Sequence, residues 1–463
     1  MEVRHTYKAI VIGTGQGGAP LASALAAAGW NTAVIEQAYV GGSCINYGCT
    51  PTKALVASAK TAYTAAHSGE YGIEIHNLAV KWERVRQRRD EMVESFRSGS
   101  RKRLEQQENL DLIFGKARFA GRKTIEVTTE NDSFRLKGET IIINTGAKAV
   151  IPPIKGLEQT DHLDSTTIQR LDNLPDHLLI LGGGYIGLEF GQMFHRFGSK
   201  VTLIQRGKQL LPREDEDIAE AVYNILSEEG LSVHLNSEAF RAEKLENGSI
   251  RLHLETPEGR QRVEGSHLLI AVGRKPATAD LNLAATGVET DKKGYVQVDD
   301  HLQTGIPGIY AIGDVKPGPA FTHISYDDFR VVRDQLLGNG RNSMRNRLVP
   351  YTVFMDPQLG RVGLSEKEAK QQNISYKVAR LSMDSVARAI ETGHTRGFMK
   401  ALVSSDSGKI LGCAILGSEG GETMAVLQTA MMGELHYSQI RDAVYAHPTY
   451  AESLNNLFMK IED

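Results

Sequence analysis

The stretch KAIVIGTGQGG, Lys8 to Gly18, decides the fold. A short apolar run of strand type, Lys8 to Gly13, leads into Gly13, Gly15 and Gly18, spaced as G-x-G-x-x-G. An Ala-rich segment, Ala19 to Ala28, follows as a helix, and Gly29 suits its C-terminal cap. Thr32 to Glu36 (TAVIE) is the next strand and completes a βαβ unit. Glycines in such a turn let backbone N–H groups approach a pyrophosphate, which the helix N-terminus attracts. Glu36 ends the second strand 23 residues after Gly13, where a carboxylate can accept hydrogen bonds from a ribose diol.

The same pattern returns far downstream. Leu178 to Gly182 (LLILG) is a strand, Gly182, Gly184 and Gly187 form the turn, and a helix runs to about Phe197 with Gly198 as its cap. Val201 to Gln205 is the next strand. Counting 23 residues from Gly182 lands on Gln205, not an acid, with Arg206 beside it and Lys208 close behind. Without the carboxylate, repulsion against a 2′-phosphate disappears, and the cations can pair with it. The first turn therefore suits an unphosphorylated adenosine ribose and the second NADPH, with NADH possible. Solvated surface cations that do not bear on cofactor choice are the alternative for Arg206 and Lys208.

With 463 residues the chain can form two or three domains, and 41% hydrophobic with 24% charged residues is ordinary for a globular protein. A formal charge of −3, with acids and bases mixed, provides no basic field for nucleic acid. No stretch reaches the ~18 uninterrupted apolar residues of a membrane helix, and Met1 to Tyr7 are too polar for a signal peptide. The expectation is a soluble, cytoplasmic protein. Three cysteines are too few for a secreted disulfide framework.

Two of them, Cys44 and Cys49, lie in GGSCINYGCTPTK directly after the first βαβ unit. No second pair of ligands follows at zinc spacing, so a metal site is not expected there. Two buried inert thiols are the bland alternative, against which stand the flanking glycines and the nucleotide fold alongside. In a regular helix, positions i and i+5 lie about 7.5 Å apart along the axis and point about 140° away from each other. A disulfide usually needs Cα atoms within about 4.4–6.8 Å. A bond would demand a distorted turn, which Gly48 permits, and strained accessible disulfides are the easily reduced ones.

GGSCINYGCTPTK resembles the redox motif of class I pyridine nucleotide-disulfide oxidoreductases, which include glutathione reductase, lipoamide dehydrogenase and mercuric reductase. Further motifs follow in that family's order: TGA at Thr145 to Ala147, AVGRKP at Ala271 to Pro276, GIYAIGD ending at Gly313 and Asp314, and AHPTYAE with His447 and Glu452. The resemblance implies an α/β fold with two Rossmann-like domains, for FAD and NAD(P), and a C-terminal α+β dimerisation domain. The expected boundaries are 1–150 with 275–345 for FAD, 151–274 for NAD(P) and 346–463 for the interface. It further implies that Cys49 lies under the flavin as a charge-transfer thiolate, while Cys44 is the interchange thiol that meets substrate. Lys53 would lie by the flavin and pair with Glu189, Tyr185 would cover the nicotinamide pocket, and Asp314 would bind the ribityl chain. Gly42, Ser43, Gly146 and Gly273 join the cofactor contacts. His447, supplied by the other subunit of a homodimer and held by Glu452, would take and return the thiol proton. Taken alone, His447 is better explained as a satisfied core histidine; the adjoining Pro448 and Glu452 five residues on favour the catalytic role.

LPREDEDIA, FTHISYDDFRVVRDQLLG and VPYTVFMDPQLGRVGLSE resemble the mercuric-reductase-like branch that includes a bacterial reactive-chlorine-resistance flavoprotein. Mercuric reductase itself carries a C-terminal vicinal cysteine pair, where this chain ends FMKIED, and a tyrosine where His447 stands. Cys413, inside the apolar ILGCAILG, reads as core. Gln205 disfavours lipoamide dehydrogenase, which keeps an acid there, and no residues that would clamp glutathione are identified. The leading expectation is an NADPH-dependent reductase of a small thiol-reactive substrate: a disulfide, an oxidant such as hypothiocyanous acid, or a metal ion such as Cu(II); mercuric reductase acting on Hg(II), or a glutathione- or dihydrolipoamide-type dehydrogenase, is the alternative within the family. The alternatives are a flavin reductase with auxiliary thiols and a redox-sensing flavoprotein without turnover. Lys81 to Gln107, strongly charged with Val85, Met92 and Phe96 at helical spacing, reads as a solvated helix.

Overall fold

The computed structural model describes residues Val3–Ile461, which fall into two compact units. The first comprises Met1–Ala54, Arg86–Val150 and Gly273–Arg347, and the second Leu55–Val85, Ile151–Val272 and Leu348–Asp463.

In the first unit, strand Val3–Ile12 pairs in parallel with Thr32–Glu36 on one side and Ser133–Ile143 on the other. Leu110–Phe114 extends the parallel order past Thr32–Glu36, and Ile309–Ala311 pairs in parallel with Ser133–Ile143. Lys116–Gly121 and Thr124–Thr128 complete the seven strands in antiparallel sense. The apolar run in Val3–Ile12 is continuous because both faces are covered. Side chains alternate along a strand, so Ile10 and Ile12 enter one core with Ile141 and Ile143, while Ala9 and Val11 enter another with Val34 and Ile142. Helix Gly18–Ala27 lays Leu21, Ala22, Leu25 and Ala26 on that second core. Gly29, at φ 78°, follows the helix end as expected. Ala147–Ala149, which begins at the end of the TGA motif, runs antiparallel to Arg274–Pro276, the end of AVGRKP.

The second unit contains a parallel sheet ordered Ser232–His234, Lys200–Ile204, His177–Leu181, His267–Ile270. Glu238–Lys244, Ile250–Thr256 and Gly259–Gly265 form an antiparallel three-stranded sheet. A five-stranded antiparallel sheet runs Tyr351–Val353, Gln358–Gly363, Ile410–Gly417, Phe398–Ser404, Tyr376–Ser382, with helix Gly420–Met432 packed on Gln358–Gly363 and Ile410–Gly417. Cys413 is fully buried in this region's core, as its apolar surroundings imply.

Lys81 to Gln107 is helical over Trp82–Glu105, but its inner face differs from the one the spacing suggests. Trp82, Arg89, Val93 and Leu104 are buried, Val85 and Met92 half-buried, and Phe96 56% exposed. The face is turned by about 70° on the helical wheel. Arg89 is what the pattern missed, since the aliphatic stem of an arginine can line an apolar face. Among the described residues no helix is long and apolar enough to cross a membrane.

Candidate functional site

The two glycine turns are built alike. At the third glycine of each, the helix backs directly on the carbonyl of the first. A Cβ on Gly18 would lie 2.2 Å from the Gly13 oxygen, and one on Gly187 would lie 2.0 Å from the Gly182 oxygen. Only glycine allows this approach, which brings the helix N-terminus close to the end of the strand. Helices Gly18–Ala27 and Tyr185–Arg196 have no side-chain cap and no acid in their first turns. Their N-terminal N–H groups and dipoles are thus suited to anions. This is the cradle that a dinucleotide pyrophosphate requires, so the residues present fit FAD at the first turn and NAD(P) at the second.

At the first turn Glu36 is buried, and its Oε2 accepts from the Thr14 backbone N–H at 3.1 Å and the Thr14 hydroxyl at 2.6 Å. Its Oε1 accepts from the Ala38 N–H at 3.0 Å. A carboxylate has about four lone-pair sites, so acceptor capacity remains for a ribose. Asn144 donates from Nδ2 to the Gly13 carbonyl at 3.2 Å, tying the turn to the end of strand Ser133–Ile143. At the second turn Gln205 takes the place of that acid: its Oε1 accepts from the Gly183 N–H at 3.0 Å. A neutral amide can do this while still offering N–H donors outward. Arg206 pairs with Glu238 at 3.5 Å and Lys208 with Glu216, all four side chains being exposed.

The cysteine stretch folds as two helices, Gly42–Asn46 and Cys49–Ala66, with Tyr47 and Gly48 between them. Tyr47 leaves helical geometry at φ −142°. A Cβ on Gly48 would lie 3.1 Å from the Ser43 carbonyl and 3.6 Å from the Cys44 Cα, so the small residue lets the first helix close on the second. The break that a cysteine pairing requires is therefore present, and the two thiols are within hydrogen-bonding reach. Cys44 is half-buried and Cys49 exposed in the single chain. The Cys44 thiol is pushed well above its ordinary range, first by its hydrogen bond to Cys49 and then by burial. Asn46 pins the stretch by donating from Nδ2 to the carbonyls of Val40 at 3.0 Å and Gly42 at 2.9 Å. Arg97 donates to its Oδ1 at 2.7 Å. The stretch also packs on the first glycine turn, since a Cβ on Gly42 would lie 2.7 Å from the Gly15 Cα.

Thr322 is a neighbour of Cys49 that the sequence reading did not single out. It opens helix Thr322–Leu337, and its hydroxyl lies 3.2 Å from the Cys49 sulfur. Gly313 donates its N–H to Asp328 at 2.8 Å, and fully buried Asp328 is held in turn by Lys316 at 3.1 Å and Arg347 at 2.7 Å. Beside it the Asp314 carboxyl is pushed up by burial, opposed by Arg274 and Lys316. Nothing in the local pattern around Asp328 signals this role. Lys53 stands in the first turns of helix Cys49–Ala66, half-buried.

In the second unit Tyr185 is the first residue of its helix and half-buried. Buried Glu189, one turn on, accepts the Phe354 N–H at 2.9 Å. Near the C-terminus, His447 Nδ1 lies 2.9 and 3.0 Å from the two Glu452 oxygens. The Glu452 N–H donates to the Thr449 hydroxyl at 3.2 Å, which itself donates to the Ala446 carbonyl at 2.9 Å. A carboxylate only accepts, so Nδ1 carries the proton and Nε2 is the basic nitrogen. The imidazole is exposed, 68% by side chain.

Residues 7–328 match the family described as pyridine nucleotide-disulphide oxidoreductase, and residues 349–458 match its dimerisation domain, which supports a homodimer. The chain is 40% identical to the probable pyridine nucleotide-disulfide oxidoreductase RclA of Escherichia coli (strain K12), over 99% of this chain and 100% of that protein. It is 34% identical to a mercuric reductase of Streptomyces lividans, over 97% and 95% respectively. Its structure superposes on the Cu(II) complex of the HOCl-induced flavoprotein disulfide reductase RclA of Escherichia coli with a TM-score of 0.91, at 39% identity and full coverage of both chains. The chain belongs to the pyridine nucleotide-disulphide oxidoreductase family and is an FAD- and NAD(P)H-dependent oxidoreductase.

Proposed function

We propose that this chain passes electrons from NADPH to a small thiol-reactive oxidant or soft metal ion through the Cys44–Cys49 pair. The observation that carries this reading is the helix break at Tyr47–Gly48, which brings the two thiols together against the first dinucleotide turn. Bound FAD supplies the two-electron relay between the nicotinamide and these sulfurs. Gly13, Gly15, Gly18 and Glu36 would hold its adenosine end, with Gly42, Ser43, Lys53, Gly146, Gly313 and Asp314 along the remainder. Gly182, Gly184, Gly187, Gln205 and Arg206 would hold NADPH, and Tyr185, Glu189 and Gly273 would border its nicotinamide end. Domains at 1–150 with 275–345, 151–274 and 346–463 are the corresponding division.

In the reductive half, NADPH and one proton convert the Cys44–Cys49 disulfide to two thiols and NADP⁺. In the oxidative half, the Cys44 sulfur would attack an electrophilic oxidant X–Y, bonding to X and releasing Y⁻, and Cys49 would then attack the Cys44 sulfur, displacing X⁻ and re-forming the disulfide. With a metal ion the two sulfurs would instead give up two electrons, to two Cu(II) or to one Hg(II), as the disulfide re-forms and two protons leave. Because Cys44 holds its proton tightly, attack needs a base, and the Nε2 of the partner subunit's His447 would supply one. The exposure of His447 in a single chain favours this arrangement. A cysteine pair kept reduced by a nicotinamide suits the cytoplasm.

The substrate class is supported by the similar Escherichia coli protein, which is described as HOCl-induced and as forming a Cu(II) complex, and by the lack of an identified clamp for a tripeptide. The test is NADPH oxidation with a panel of hypothiocyanite, Cu(II), Hg(II), glutathione disulfide and lipoamide. The highest kcat/KM is expected on a small oxidant or metal ion; a clear preference for glutathione disulfide or lipoamide overturns the reading. In the same assay Gln205→Glu is expected to lower kcat/KM for NADPH and raise that for NADH, each by roughly tenfold. A carboxylate there would repel a 2′-phosphate at close range. The exposed pairs of Arg206 and Lys208 are weak and screened, so a phosphate dianion can displace their acids.

A further inference from the structure

Two of the stretches that neither glycine turn nor cysteine motif accounts for, around Glu214 and around Tyr351, meet at Tyr185. The rings of Tyr185 and Tyr351 lie 5.5 Å apart at 33°, and their hydroxyls are within hydrogen-bonding reach. Tyr351 donates its hydroxyl proton to Glu214 Oε1. Its oxygen is then left as the acceptor for Tyr185. Glu214 is only 2% exposed, and its second oxygen lies 3.4 Å from Arg361 Nε. Arg361 is itself buried and donates from Nη1 to the carbonyls of Val362, Leu364 and Cys413 at 3.0–3.2 Å. Burial pushes the Glu214 carboxyl up, with Arg361 and the Tyr351 hydroxyl opposing. The sequence of contacts thus runs from a fixed guanidinium through a buried carboxyl and a phenol to Tyr185. The hydrogen bonds along Tyr185, Tyr351 and Glu214 reinforce one another in a low-dielectric interior, and Arg361 joins them as an ion pair.

Tyr185 stands immediately after Gly182–Gly184, at the mouth of the second dinucleotide turn. We infer that Tyr351, anchored by Glu214 and Arg361, is a positioning residue that tethers Tyr185 in its closed position and thereby sets the affinity for NADP(H). This rests on the proposed reading of Tyr185 as the cover of the nicotinamide end. A ligand that needs the cover displaced binds with an apparent affinity reduced by the fraction of molecules in which it is open. Weakening the tether raises that fraction.

The test is calorimetric titration of the oxidised, FAD-loaded protein with NADP⁺. Tyr351→Phe keeps the ring and removes the hydroxyl, and it is expected to bind NADP⁺ roughly three- to tenfold more tightly, the scale of one lost hydrogen bond. Glu214→Gln keeps an acceptor without the charge and shifts affinity in the same direction by less. Tyr185→Ala removes the cover and sets the upper limit. In the Tyr185→Ala background, Tyr351→Phe is expected to have no further effect, whereas a merely structural role would shift both backgrounds alike. If Tyr185→Ala tightens binding and Tyr351→Phe does not, the tether is overturned while the cover stands. If Tyr185→Ala leaves NADP⁺ affinity unchanged, the cover reading fails and the tether with it.

Discussion

Cys44→Ser protein is expected to keep its flavin and to be reduced by NADPH, yet to turn over its acceptor slower than the native protein by at least roughly a thousandfold, the scale of losing a nucleophile. A serine hydroxyl can neither attack a sulfur or metal electrophile at neutral pH nor be released by thiol exchange. Serine keeps a hydroxyl beside the Cys49 sulfur, and Thr322 stays on it at 3.2 Å, so the surroundings of the remaining thiol change little. The two half-reactions therefore separate. Stopped-flow reduction by NADPH should stay within a few-fold of native, and steady-state turnover should collapse. Retained turnover in this variant would make the thiols auxiliary and favour direct transfer from the flavin to the acceptor.

His447→Gln is expected to lower turnover by roughly a hundredfold or more, within the usual range for a general base. The loss should depend on pH in a defined sense. Cys44 holds its proton above the ordinary thiol range, so at neutral pH only a small fraction is thiolate. With the base removed, the rate follows that fraction and climbs with pH, roughly tenfold per unit while pH stays below the thiol pKa. The native protein, with a base available, should show a much shallower rise. Hybrid dimers decide where the base comes from. Co-expressed Cys44→Ser and His447→Gln subunits contain one intact combination only if each histidine serves the other subunit's cysteine. Recovery of activity in the isolated hybrid supports that arrangement, and an inactive hybrid places the histidine's action within its own subunit or elsewhere.

The parts of this site readable from sequence are those in which spacing along the chain determines geometry. Both glycine turns lie within βαβ units whose strand, turn and helix are contiguous, so Glu36 and Gln205 could be placed by counting from Gly13 and Gly182. The cysteine stretch was readable for the same reason: five residues of helix cannot bring two sulfurs together, so a break near Gly48 had to exist. Residues that arrive from far along the chain were not readable. Thr322 reaches Cys49 across 273 positions, and Asp328 holds Gly313 from within a helix whose charged face looks ordinary. Asn144 depends on the register of Ser133–Ile143 beside Val3–Ile12, where Ile143 stands opposite Ile12. Tyr351 and Glu214 are 137 positions apart and meet only because the chain returns to the second unit. The inner face of Trp82–Glu105 was misjudged because Arg89 packs inward and Phe96 does not.

Transfer of NADPH electrons to the Cys44–Cys49 pair can be read out by thiol labelling. Air-oxidised protein is mixed anaerobically with one equivalent of NADPH, quenched with an alkylating reagent, and mapped by mass spectrometry against an untreated control. The account predicts that Cys44 and Cys49 are unlabelled before NADPH and labelled together after it, while buried Cys413 is unlabelled in both. Flavin bleaching with no new label on either Cys44 or Cys49 would contradict it.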